Sequence, residues 1–233
     1  MSKILMVVTA ADSLTLADGS AHPTGFWAEE LVVAHRELTR AGHDVVIATP
    51  GGRVPPVDPG SLNAEVVGDA DRAAEFRAYL DAIRSDLDHP IALDQVSAAD
   101  YAAVVLPGGH GPMVDLAVDE QLGRILVAAD DAGLPIAPFC HGPAGLLSAT
   151  AADGSFAFAG RTLTVFTDEE ERTGGLGENS PWFVASTLSE RGAVVQGGEP
   201  WTSHVVRDGN LITGQNPQSS HAVAQALLDV LAD

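Results

Sequence analysis

The chain has 233 residues, enough for a domain with a full core, and a formal net charge of −20 against only twelve cationic residues. That balance argues against a basic face for nucleic acid and against an anionic membrane surface, so the acidity reads as a solvated, solubilising exterior. A single cysteine, Cys140, excludes an internal disulfide, and no apolar stretch reaches the length of a membrane span. An apolar strand already begins at Lys3, which leaves no room for a signal peptide, and a cytoplasmic location is expected. Lys3 is also the only lysine, so no lysine at a strand end is available for Schiff-base chemistry.

Strands and helices alternate along the chain. Lys3 to Thr9 reads as a β-branched, apolar strand, and Glu29 to Ala41 sets Leu31, Val32, His35 and Leu38 at helical spacing before Gly42. Asp44 to Thr49 is the next strand, ended by Pro50-Gly51-Gly52; a Pro/Gly-rich loop through Pro59-Gly60 leads to a polar helix from about Asp69 to Leu87. Tyr101 to Leu106 is a strand running into Pro107-Gly108-Gly109-His110-Gly111, and Asp119 to Ala132 is a helix closed by Gly133. Leu134 to Phe139 is a buried strand, followed by a hairpin-like stretch, a strand from Thr162 to Phe166, a helix from Trp182 to Arg191, and Ala193-Val194-Val195. An extended pair, His204 to Arg207 and Asn210 to Thr213, precedes a last helix from near Ser219. Apolar strands separated by helices predict an α/β fold with a mostly parallel sheet covered on both faces and a ligand crevice at the carboxyl ends of the strands. No repeat or low-complexity segment interrupts the pattern, so residues 1–233 read as one domain.

Cys140 stands where Leu134-Pro135-Ile136-Ala137-Pro138-Phe139 breaks into His141-Gly142-Pro143-Ala144-Gly145. A thiol on a strand-to-helix corner is a nucleophile elbow. A helix N-terminus, the adjacent His141 imidazole and a flanking glycine would all favour the thiolate, and Pro143 suits the start of the new helix. Gly108-Gly109-His110-Gly111 can turn backbone amides toward a substrate, and with the amide of His141 would form an oxyanion hole. Two acidic runs, His22 to Glu30 and Phe166 to Glu171, bring carboxylates near other strand ends. Most of these read as solvated; one beside a thiol can act as acid or base if burial raises its pKa, and one beside an imidazole can orient it. His22, His35, His43, His89, His204 and His221 show no zinc spacing, and no metal or cofactor is expected.

Five segments, Thr24 to Glu30, Pro107 to Gly111, Cys140 to Pro143, Phe166 to Glu171 and Leu211-Ile212-Thr213-Gly214-Gln215-Asn216-Pro217, occur together and in order as in the ThiJ/PfpI superfamily. The chain resembles most closely its branch of glutathione-independent glyoxalases and heat-inducible chaperones. The resemblance implies a flavodoxin-like three-layer sandwich, commonly a homodimer. It makes Cys140 the nucleophile, His141 its partner in a Cys-His-Glu triad, and Glu30 the carboxylic acid in contact with the thiol, beside the oxyanion and substrate loop read above at Gly108, Gly109 and His110. Glu171 keeps the family's offset from Phe166-Thr167-Asp168 and is taken as the triad acid over its neighbours Glu169 and Glu170. Phe139 is bulkier than the small residue expected before the cysteine and would narrow the pocket.

The activity implied is cofactor-free conversion of methylglyoxal, or a related 2-oxoaldehyde, to the 2-hydroxy acid. Cys140 adds to the aldehyde, His141 or Glu30 moves a proton between the two carbons, and water hydrolyses the thioester. Two other classes compete: a cysteine amidase or peptidase using the same triad, and a stress holdase or protein deglycase.

Overall fold

The computed structural model describes residues 2–232. Its elements in chain order are β1 (Lys3–Val7), β2 (Ser13–Thr15), β3 (Ala21–Pro23), α1 (Ala28–Arg40), β4 (Asp44–Thr49), α2 (Ala64–Val67), α3 (Ala70–Ala82), α4 (Arg84–Asp88), β5 (Ile91–Ala92), β6 (Ala103–Leu106), α5 (Glu120–Asp131), β7 (Ile136–Pro138), β8 (Thr162–Leu163), α6 (Asp168–Gly174), α7 (Val184–Glu190), β9 (Val194–Val195), β10 (Val205–Asp208), β11 (Leu211–Gly214) and α8 (Ser220–Ala232). Seven of the strands make one sheet in the order β10-β11-β7-β6-β1-β4-β5. Within that sheet, among the described residues, only the β10–β11 pairing is antiparallel.

Alternation of side chains along the central strands splits the core into two layers. Ile4, Met6, Val45, Ile47, Val105 and Phe139 face α1, α3 and α8, where they meet Leu31, Leu38, Phe76 and Leu227. Leu5, Val7, Val104, Leu106 and Ile136 face the other way, onto Leu122 and Leu126 of α5 and Leu188 of α7. Both faces being covered is why these strands read as unbroken apolar runs. Truncating one of these fully buried leucines to alanine costs about 2–5 kcal/mol. Two of the flanking helices start at side-chain caps: Asp119 accepts from the amides of Gln121 and Leu122 ahead of α5, and Asp69 caps α3 in the same way.

Several elements differ from the sequence expectation. The first strand leaves the sheet after Val7, and residues 13–23 form a two-stranded antiparallel hairpin, β2 with β3, that alternation did not reveal. The polar helix breaks at Ile83 into α3 and α4, and the helix expected from Trp182 begins at Val184. Thr162–Phe166 does not join the main sheet. Only Thr162 and Leu163 pair, with β9, because the Asp208 side chain takes the amide of Thr162 and Thr213 Oγ1 takes that of Thr164.

Candidate active site

The carboxyl ends of β6, β7 and β11 converge, and Cys140 lies just beyond β7 at φ 55°, a left-handed conformation in a non-glycine residue. Such backbone costs on the order of 1–3 kcal/mol and persists only where surroundings over-determine it. Here they do: Cys140 N donates to Gly214 O at 2.9 Å, Phe166 N donates to Cys140 O at 3.0 Å, and Gly142 N closes the turn onto Phe139 O at 2.8 Å. The segment that follows, Gly142–Ser148, is a 3₁₀ helix with Pro143 in its first turn, not the α-helix expected. Two glycines and a proline make it a poor α-helix former, and Gly142 sits so close to the Leu106 carbonyl that a Cβ would collide there. Phe139 does not narrow the site. It is fully buried and points into the α1/α8 layer, so the bulk is absorbed by the core.

Opposite the elbow, the glycine loop after β6 is pressed against the start of α1. Gly109 has φ 87°, and a side chain there would strike the Gly25 carbonyl. This close approach aims the amides of Gly109 and His141 at the Cys140 sulfur, where both favour negative charge.

His141 Nδ1 is 3.3 Å from Cys140 Sγ, and its Nε2 is 2.7 Å from Glu171 Oε2. The acidic run is a capped helix, α6, and its three glutamates separate by position. Glu169 is exposed. Glu170 forms the capping box with Thr167 and also accepts from Trp201 N and Asn216 Nδ2. Glu171, one step further round, is turned to His141, and also accepts from His110 Nε2 at 3.1 Å and Leu176 N at 2.6 Å. Burial alone would raise its pKa, but the hydrogen bonds and charges of His110 and His141 outweigh that and hold the carboxylate well below the usual range. Burial, followed by the charge of His110, keeps His141 below its ordinary value despite Glu171. One donor atom each of His110, His141 and Glu171 lies within 4.8 Å of the others.

Glu30 lies in the first turn of α1, fully buried. Its Oε2 accepts from Gly108 N at 2.6 Å, while Oε1 has no hydrogen-bond partner of good geometry. Burial pushes its pKa up to about 8, so at neutral pH it is chiefly the carboxylic acid, and it interacts directly with Cys140. With Oε2 accepting from the amide, the acid proton belongs on Oε1, available to the sulfur. The thiol differs from the sequence expectation: burial pushes Cys140 well above its ordinary value, against the pull of the Gly109 and His141 amides. At neutral pH Cys140 is therefore held as a thiol beside the His141 imidazole.

Gly109, His110, Cys140 and His141 floor a cleft of about 470 Å³. Its walls include Trp27, Val66, Phe166 and Trp201, with the Arg72–Glu29 ion pair among its lining residues. Phe166 is tilted against His141 with ring centroids 4.5 Å apart, and Trp201 packs edge-on against Phe166 at 5.5 Å. The sequence reading missed Arg72 and Trp201. Trp201, at φ 60° and 40 % exposed, sits in a turn-rich stretch with no periodicity, and only its clustering with Gly197, Gly198 and Pro200 hinted at a built loop.

A buried cysteine at left-handed φ on a parallel sheet, with imidazole and carboxylate in line, defines the class of α/β sandwich with a cysteine elbow. The chain belongs to the DJ-1/PfpI family, whose pattern matches residues 22–230. It is 34 % identical over 195 residues to the glutamine amidotransferase-like class 1 domain-containing protein 1 of Bos taurus, covering 82 % of each chain. It is 28 % identical over 245 residues to the protein/nucleic acid deglycase HchA of Pseudomonas aeruginosa, covering 99 % of this chain and 82 % of the relative. Among solved structures, the rapid encystment protein of 24 kDa from Francisella tularensis superposes with a TM-score of 0.87 at 27 % identity, covering 99 % of both chains. Glyoxalase III from Candida albicans shares the fold, with a TM-score of 0.82 at 23 % identity and coverage of 97 % and 96 %.

Proposed function

We propose that this protein is a glutathione-independent glyoxalase that converts methylglyoxal or a related 2-oxoaldehyde to the 2-hydroxy acid. The observation that carries the reading is the pairing of Cys140 with a carboxylic acid kept neutral by burial, Glu30, beside an imidazole whose partner Glu171 is held ionised. His141 Nδ1 takes the thiol proton as sulfur adds to the aldehyde carbon, and the amides of Gly109 and His141 receive the oxyanion. Glu30 supplies the acid for the rearrangement that follows. Isomerisation gives a thioester on Cys140, which water hydrolyses. The test is consumption of methylglyoxal by purified protein without glutathione, with the lactate product identified; a strict requirement for added thiol refutes the reading.

A deglycase reading is favoured by one further observation. The cleft volume of about 470 Å³ exceeds what a three-carbon oxoaldehyde fills, and leaves space for the side chain of a glycated residue. The HchA relatives are named for that activity. A peptide carrying a methylglyoxal adduct on cysteine or arginine, offered beside the free aldehyde, separates the two: release of unmodified peptide faster than the adduct decays by itself supports deglycation. The homodimer implied by the resemblance is part of the proposal, and sedimentation of the purified protein tests it.

A further inference from the structure

Two imidazoles give Nε2 to one carboxylate: His141 at 2.7 Å to Oε2 of Glu171, and His110 at 3.1 Å to Oε1. An ionised carboxylate only accepts, so both rings carry their proton on Nε2 and both keep a lone pair on Nδ1. On His141 that lone pair faces Cys140 Sγ and is committed to the thiol. On His110, Nδ1 makes no hydrogen bond among the described residues, and the ring lines the cleft. The two rings are tilted at 45° with centroids 4.2 Å apart, so an adduct growing from Sγ past His141 comes within reach of His110. Glu30 interacts with the sulfur as an acid, with its amide-bonded oxygen fixed on Gly108.

Resting on the oxoaldehyde reading above, we propose that His110 is the catalytic base that moves the carbon-bound hydrogen. After sulfur has added, the intermediate is a hemithioacetal with hydrogen on C1 and a carbonyl at C2. His110 Nδ1 takes the C1 proton, the C–H electron pair closes a C1–C2 double bond, and the C2 oxygen takes a proton from Glu30, giving an enediol. The C1 hydroxyl then returns its proton to Glu30 as C1 becomes the thioester carbonyl, and C2 takes the proton held on His110. Both side chains end as they began, the oxidation of C1 is matched by the reduction of C2, and no outside oxidant is needed.

The test is His110→Gln, which keeps an N–H near the Nε2 position for Glu171 but has no basic lone pair. Turnover of methylglyoxal should fall about 100-fold or more, the range of a lost general base, while alkylation of Cys140 by iodoacetamide keeps its wild-type rate. Equal loss of turnover and alkylation would make His110 a support of the triad and overturn the proposal. So would wild-type turnover in the variant. An inactive wild-type protein sinks the oxoaldehyde reading and the proposal with it. A measurement on the unmodified protein does not depend on the variant folding: in D₂O, a base at the cleft surface exchanges its proton, so lactate should carry deuterium at C2, and complete retention of the substrate's own hydrogen there overturns the assignment.

Discussion

Replacing Glu171 by Gln tests the electrostatics of the whole site with an isosteric change. Three donors converge on this carboxylate: Leu176 N and His110 Nε2 on Oε1, and His141 Nε2 on Oε2. An amide must turn its NH₂ toward one of these two places. Leu176 N–H is backbone and cannot become an acceptor, so the amide oxygen stays there and the NH₂ faces His141. His141 can satisfy that donor only by moving its proton to Nδ1, which removes the base from beside Cys140. Loss of the correct tautomer in a comparable triad costs about 10⁴ in kcat, or about 5.5 kcal/mol of transition-state stabilisation. Glu171→Gln should therefore lower methylglyoxal turnover by about three to four orders of magnitude and slow Cys140 alkylation as well. Stability should change with a definite sign. A carboxylate held low is ionised in the folded state while the unfolded chain takes up a proton near pH 4.3, so its contribution is complete above about pH 5 and is lost as pH falls further. Thermal melts from pH 7 to pH 3 should show a flatter acid limb in Glu171→Gln than in the wild type. Wild-type turnover in Glu171→Gln, with the loss appearing instead in Glu170→Gln, would refute the reasoning.

Cys140→Ser should remain folded, as the two side chains are close in size, and should lose turnover by orders of magnitude because a hydroxyl is a far weaker nucleophile; a retained tenth or so of the rate would point to another nucleophile. Glu30→Gln should keep much of the Cys140 alkylation rate, since an amide N–H can still reach the sulfur, but lose the acid and with it about 100-fold in turnover. The folded protein holds a proton on Glu30 up to about pH 8 that the unfolded chain releases at ordinary carboxyl values, so wild-type stability drains as pH rises between those limits. The melting temperature of Glu30→Gln should accordingly gain on the wild type from pH 5 to pH 8, and parallel pH curves would contradict a neutral Glu30. Gly175→Ala should cut turnover and stability together, because a Cβ there collides with Glu171 Oε1; an unaffected variant, read by turnover and thermal melting, would show that the carboxylate has room to move.

The order of the central elements and the position of the elbow were legible because they follow from local chemistry: apolar runs, Gly42 and Gly133 as helix stops, and a cysteine among small residues at a strand end. Choosing Glu171 from three consecutive glutamates required the family offset, since side-chain direction around α6 depends on where Thr167 caps it. The cleft walls were hidden for a different reason. Arg72 comes from α3 and Trp201 from the turn before β10, and each is set by contacts across long sequence separation: Arg72 on Glu29, and Trp201 through its amide on Glu170 and its ring beside Gly174. Neither signal has a period, and so neither is visible to a reading built on periodicity.

The protonation of the thiol could not be read from sequence for a related reason. The adjacent histidine, the flanking glycine and the helical turn all argue for a thiolate, and each is present around Cys140. What reverses the balance is full burial, which is set by packing across the whole fold and not by neighbours in sequence. Two glutamates are thus driven in opposite directions by their surroundings, Glu30 toward the acid because it is fully buried with one amide and no cation beside it, and Glu171 toward the carboxylate because two imidazoles point at it. A pair of carboxyl groups so divided is what a proton-transfer reaction at neutral pH requires: one group able to give a proton, and one able to keep neighbouring imidazoles in the tautomer that receives it. Exchanging the environments of the two glutamates would disable both halves without moving the sulfur, which places the chemistry of this site in its surroundings as much as in Cys140.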